Sequence, residues 1–159
     1  ITVLLLMVGS FFGGSYFEKQ KIKTSLNTPT SLISSMPLSV IEVSDGDTFK
    51  LSNGKTFRLY GVNAPEVKEP FFEEAKAFTQ NLILGKEISF EQEENYKVDK
   101  FGRELGYVFI GGVNLNIELV RNGLARVVLY EKRAKIKYEG ELLSAEKEAR
   151  MNRIGIWKK

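Results

Sequence analysis

The chain has no cysteine and no histidine. The first absence excludes disulfides, thiolate nucleophiles and cysteine-based zinc sites. The second removes the side chain most used for general acid–base work, and with it the Ser-His-Asp and Cys-His arrangements. Any hydrolytic chemistry must therefore run on carboxylates, Lys, Arg, Tyr or a cation held by oxygen atoms. An excess of one charge is also lacking. The 23 Lys and Arg stand against 20 Asp and Glu, a net charge of +3, which favours an anionic partner only mildly. With 159 residues, 43% of them hydrophobic, the chain can bury one core and is too short for two sizeable domains.

Residues 1–17 contain no Asp, Glu, Lys or Arg. A spanning helix needs about 20 apolar residues, so this stretch falls slightly short and reads as a signal-peptide core or a short membrane anchor. Gly13 and Ser15 suit cleavage, whereas Lys19, Lys21 and Lys23 suit a membrane-proximal flank. Residues 18–37 read as a flexible linker, because from Lys23 onward Ser, Thr, Asn and Pro replace any sustained period. The compact domain is expected over 38–159, as a monomer, outside the cytoplasm, either secreted or tethered at the cell surface.

Within that domain, residues 38–43, 48–51 and 55–60 are β-like runs separated by Ser44-Asp45-Gly46 and Ser52-Asn53-Gly54, both good turn sequences. Residues 71–84 carry apolar side chains at helical spacing, with Glu73 and Glu74 early and Gly85 as a stop. Alternation resumes over 86–91 and 104–110, and two further helices are expected over 114–122 and 138–152. The fold class that follows is α+β, mainly β: a five-stranded barrel of the OB type with about three helices, preceded by the apolar N-terminal segment.

The chemistry-bearing residues gather at loop–strand junctions. Asp45-Gly46-Asp47-Thr48 enters a strand at a turn, where two carboxylates can face a hard cation. By itself Asp-Gly is a turn signal. Arg58 then precedes Asn63, Ala64, Pro65 and Glu66 in a proline-fixed loop. Arg58 can clamp a phosphate oxygen and Glu66 can deprotonate or position a water, although a surface ion pair and a helix-entry charge explain each one singly. Asp99-Lys100-Phe101-Gly102-Arg103 adds a second arginine before a strand. Two guanidiniums, a carboxylate and a cation are a workable set for stabilising a five-coordinate phosphorus without histidine.

In this order the motifs resemble the staphylococcal nuclease (thermonuclease) family. The likeness continues through Val120-Arg121-Asn122-Gly123-Leu124-Ala125 and Asn152-Arg153-Ile154-Gly155-Ile156-Trp157, and covers residues 38–157. It implies an OB-fold domain and a calcium-dependent enzyme that cuts DNA and RNA to 3′-phosphate and 5′-hydroxyl ends. It also implies roles. Arg58 and Arg103 would hold the phosphate, Glu66 would act as general base, and Asp47 would be a direct calcium ligand. The backbone carbonyl of Ala64 would complete the metal shell with Asp45 close behind, and Lys100, Phe101 and Tyr130 would contact the nucleotide.

Two departures stand out. Asn63 falls where the family has a second calcium-binding Asp, so one negative charge is missing and weaker metal affinity or a reduced rate is expected. The connection Val67-Lys68-Glu69-Pro70 is short where the staphylococcal enzyme has a longer Lys-rich loop. The rival readings are an OB-type nucleic-acid-binding module without catalysis and, last, a tethered structural envelope protein.

Overall fold

In a computed structural model of the chain, residues 38–129 and 134–158 are described. The expected apolar segment 1–17, the linker 18–37 and Tyr130 lie outside the described residues. The elements run β1 (Val40–Val43), β2 (Thr48–Leu51), β3 (Thr56–Leu59), β4 (Val62–Asn63), α1 (Phe72–Ile83), β5 (Ser89–Glu91), β6 (Glu104–Ile110), β7 (Val113–Asn114), α2 (Leu115–Arg121), β8 (Arg126–Val127) and α3 (Glu139–Met151). A 3-10 turn, Gly155–Trp157, follows.

β1, β2 and β3 form an antiparallel meander across the two predicted turns. Phe49 and Phe57 are register partners on β2 and β3, and their buried rings stack at 5.3 Å. β3 then pairs in parallel with β6, which pairs antiparallel with β5 and β7. The result is a six-stranded mixed sheet ordered β1-β2-β3-β6-β5 with β7 on β6, plus a separate β4–β8 pair.

Three helices and a mainly β architecture are as expected, but the strand count is not five. Nor does one ladder run unbroken around the sheet. β1 meets the approach to β5 through isolated bridges, Ser39 with Glu87 and Val40 with Leu84. Strands of two residues are too short to show a period, which is why β4, β7 and β8 escape a reading of the sequence.

The parallel β3–β6 pair decides where the functional side chains fall. Arg58 is the register partner of Leu105, and Arg103 lies two residues before Leu105. Side chains two apart share a face of a strand, so Arg58 and Arg103 come to one side. Behind them, Asn116 on α2 is fully buried. Its amide donates to the carbonyls of Tyr60 at 2.9 Å and Gly106 at 3.2 Å and accepts from the Val108 N–H at 3.2 Å. That one side chain satisfies three backbone groups where β3 and β6 diverge, groups that are costly to leave unpaired in the interior.

The C-terminal turn is fastened to the end of α2. The Ile156 N–H donates to the Gly123 carbonyl at 2.9 Å, and Gly123 and Gly155 have φ of 63° and 56°. A Cβ on Gly155 would overlap the Gly123 carbonyl, and one on Gly123 would overlap the Ile154 carbonyl. Positive φ and a backbone clash act together here. Gly155→Ala is therefore expected to lower unfolding free energy by at least ~2 kcal/mol, read as a shifted urea midpoint with unchanged slope.

Candidate active site

The Asp45-Gly46-Asp47 turn is built by its own backbone and clamped by α1. Asp45 Oδ1 accepts the Asp47 N–H at 2.9 Å, and the Ser44 and Asp45 N–H groups both reach the Thr48 carbonyl. Gly46 leaves no room for a side chain, since a Cβ there would lie 2.7 Å from that of Ala64 and 2.8 Å from that of Ala75. Its carbonyl accepts the Thr79 hydroxyl at 2.6 Å. The turn can thus press against α1 and the Asn63–Ala64 segment only because residue 46 is glycine.

Asp47 is 1% exposed and both its carboxylate oxygens are occupied. Oδ1 accepts from Arg58 at 2.5 Å and from the Thr48 hydroxyl at 2.9 Å, while Oδ2 accepts the Ala64 N–H at 2.7 Å. Arg58 forks: its second terminal nitrogen donates to Asn63 Oδ1 at 2.7 Å. Asn63 in turn donates to the Ala64 carbonyl at 3.3 Å. Asp45, Asp47, Arg58, Asn63 and Ala64 therefore form one bonded cluster.

Burial pushes the Asp47 carboxyl up to about 7, with Asp45 adding to the rise and Arg58, the Ala64 N–H and the Thr48 hydroxyl opposing it. A folded-state value above the ordinary 3.8 means that the native form holds the extra proton between about pH 4 and 7. The stability this group contributes is full below that window and is lost as pH rises through it. In chelator, the urea midpoint of the wild type should fall from pH 4.5 to 8 relative to that of Asp47→Asn. Parallel midpoint curves for the two proteins would contradict the shift.

Arg103 is held from its own turn. Asp99 Oδ1 accepts the N–H groups of Phe101 at 2.8 Å and Arg103 at 3.0 Å, and Oδ2 accepts Arg103 Nε at 2.7 Å with Nη2 in ion-pair contact at 2.7 Å. Partial burial acts against the charge on Asp99. Even so, the hydrogen bonds from Arg103 and Phe101 and the adjacent guanidinium hold its carboxyl below the usual carboxylate range. Arg58, Asn63, Asp99 and Arg103 line a single cavity of about 100 Å³. Beside Arg103, Phe101 is 71% exposed, with Lys100 Nζ at 4.9 Å and the Arg103 guanidinium at 5.3 Å from the ring centre.

Glu66 is exposed and lines neither this cavity nor the larger one described below. Its N–H donates to Glu69 Oε2 at 2.8 Å and its carbonyl accepts the Glu69 N–H at 2.9 Å. Asp99 and Glu69 are the two residues that reading the sequence for site chemistry passes over. Both act through turns that they themselves close, and the only signal for the first is its four-residue spacing from Arg103.

These features define a small α+β domain in which two arginines line one small cavity beside a buried aspartate. The chain belongs to the staphylococcal nuclease homologue family, whose model matches residues 56–159. It is 35% identical over 127 residues to a thermonuclease of Staphylococcus hyicus, covering 74% of this chain and 73% of that protein. It is 34% identical over 129 residues to a thermonuclease of Staphylococcus intermedius, covering 76% and 75%. Endonuclease YncB of Bacillus subtilis is 34% identical over 124 residues, and there the match spans 72% of this chain and 58% of the relative.

Proposed function

We propose that this chain is a nuclease that hydrolyses phosphodiester bonds in DNA or RNA with low sequence specificity, using calcium and leaving 3′-phosphate and 5′-hydroxyl ends. The observation that carries this reading is the single cavity shared by Arg58 and Arg103, in a chain whose relatives are thermonucleases and an endonuclease. Two guanidiniums on one phosphate hold its non-bridging oxygens and stabilise the added charge of a five-coordinate phosphorus. Glu66 stands exposed outside that cavity, so its part as general base requires its carboxylate to turn toward the phosphate and the attacking water once substrate is bound. The phosphorus–oxygen bond to the 5′ carbon's oxygen breaks, that oxygen takes a proton from water to leave as a hydroxyl, and the phosphate stays on the 3′ side.

Asp45, Asp47, Asn63 and the Ala64 carbonyl offer oxygen donors alone, the chemistry that a hard divalent cation selects. Among the described residues no group of three acidic side chains is placed to hold a metal, so a cation held by these donors would take most of its shell from water and substrate. A cation bound there would neutralise phosphate charge and acidify a bound water. The Arg58 guanidinium bridges Asp47 and Asn63, so a cation bound here would share these oxygens with it. The apolar residues 1–17 support delivery outside the cytoplasm, by secretion or by a membrane tether.

The test is an end-labelled oligonucleotide incubated with the chain and calcium, with and without chelator. Cleavage that chelator abolishes, and 3′-phosphate ends on the products, are expected. Salt-sensitive binding without cleavage at any calcium concentration would overturn the enzymatic reading in favour of a binding module.

A further inference from the structure

We infer that the cavity on the far side of Asn63 from Arg103 is a second nucleotide subsite. It takes the base of the nucleotide that lies across the scissile phosphate from Phe101, and Arg126 and Lys158 take that nucleotide's outer phosphate. The inference rests on the nuclease reading and extends it from one phosphate to its neighbours along the strand.

The cavity encloses about 260 Å³, against about 100 Å³ for the two-arginine cavity. Asn63 lines both, so one side chain stands between the two spaces. Strand pairing fixes the step between them, because Asn63 on β4 and Arg126 on β8 are register partners. An oligonucleotide whose phosphate sits between Arg58 and Arg103 would therefore pass Asn63 and meet Arg126 next.

The lining suits a base. Pro65, Pro70, Phe71 and Ile156 supply flat or apolar surface, and Arg126 and Lys158 supply positive charge at the edge. Among the described residues neither cation forms an ion pair. Arg126 instead lies against the Trp157 ring at 5.6 Å. The one carboxylate in the lining, Glu69, is turned to the Glu66 N–H. Aromatic surface beside a cationic edge is the pattern by which single strands are held without regard to sequence.

The backbone adds an independent sign. Phe71 has a φ of 70°, a conformation that glycine adopts freely and a bulky residue rarely does. The ring is thus kept at a strained position where it lines the cavity, and strain of this kind gathers where ligands are held.

The test uses the full chain, calcium and a dye-labelled tetranucleotide with non-hydrolysable methylenephosphonate linkages, followed by fluorescence anisotropy. Each base is replaced in turn by an abasic sugar. One replacement should weaken wild-type binding about 10-fold and have no such effect on Phe71→Gly, which loses the stacking ring at a backbone position where glycine fits. Arg126→Ala should flatten the dependence of log Kd on log salt by about 0.7. Equal abasic penalties in wild type and Phe71→Gly, or an unchanged salt slope in Arg126→Ala, would overturn the subsite. A parallel assay with the ordinary phosphodiester separates the two readings. Binding with the Phe71 effect but no cutting sinks the nuclease reading alone, whereas cutting without the Phe71 effect sinks the subsite alone.

Discussion

Arg103→Ala is expected to slow single-turnover cleavage about 10³-fold, the loss typical when one preorganised donor to transition-state charge is removed. The expectation comes from how the side chain is held. Asp99 takes Nε and one terminal nitrogen, which fixes the guanidinium plane before substrate arrives and leaves the remaining N–H donors for a phosphate. Arg103→Lys should rescue little, because an ammonium cannot hold Asp99 and grip phosphate in one plane. Asp99→Ala should cost less, about 10-fold, since the charge stays and only its aim is lost. If Arg103→Ala kept a rate within about threefold of wild type, the guanidinium would not be meeting the phosphorus at all.

Arg58→Ala should lower the rate by a similar factor of about 10³ and at the same time tighten calcium binding about 10-fold. The second effect follows from a competition. Arg58 occupies oxygens of Asp47 and Asn63, two of the atoms that a cation would use, and it places a positive charge beside them. Calorimetry at pH 9, above the range in which the Asp47 proton competes, measures the affinity directly. Asn63→Asp restores a negative charge on the same face and should also tighten binding about 10-fold, with a faster rate at limiting calcium. Unchanged calcium affinity in both variants would place the cation elsewhere.

Where a segment carries its own punctuation, the sequence reading matches the structure residue for residue. β2 and β6 fall at 48–51 and 104–110 because turn residues bound both and large apolar side chains fill them. α2 starts one residue inside the expected 114–122, at Leu115, because Asn114 is its cap, its side chain accepting the N–H groups of Asn116 and Ile117. What stays hidden is set by pairing between distant segments. Nothing local in residues 62–63 or 126–127 announces that they are partners, yet that pairing puts Arg126 beside Asn63. Nothing local marks Asn116 for burial, because its place against Tyr60 and Gly106 depends on a parallel strand pair that no short window contains.

The candidate site divides along the same line. Arg58, Asp47 and Asn63 are legible from their places at strand ends and turns, Ala64 only through the family resemblance, and the structure bonds all four to one another. Arg103 joins them through the shared cavity. The exposed position of Glu66 was not legible, because it depends on how a four-residue connection bends. That bend is fixed by the carboxylate of Glu69 and by left-handed backbone at Lys68 and Phe71.

The back-to-back glycines at the end of α2 carry a consequence for how this protein can change. Most steric conflicts in a core can be relieved by trimming the facing side chain, so a damaging replacement has a second-site suppressor. At residues 123 and 155 the facing group is main chain, and main chain offers nothing to trim. A selection for restored folding in a Gly155→Ala background should therefore return reversion to glycine, or changes that strengthen the fold elsewhere, and no compensating exchange at residue 123.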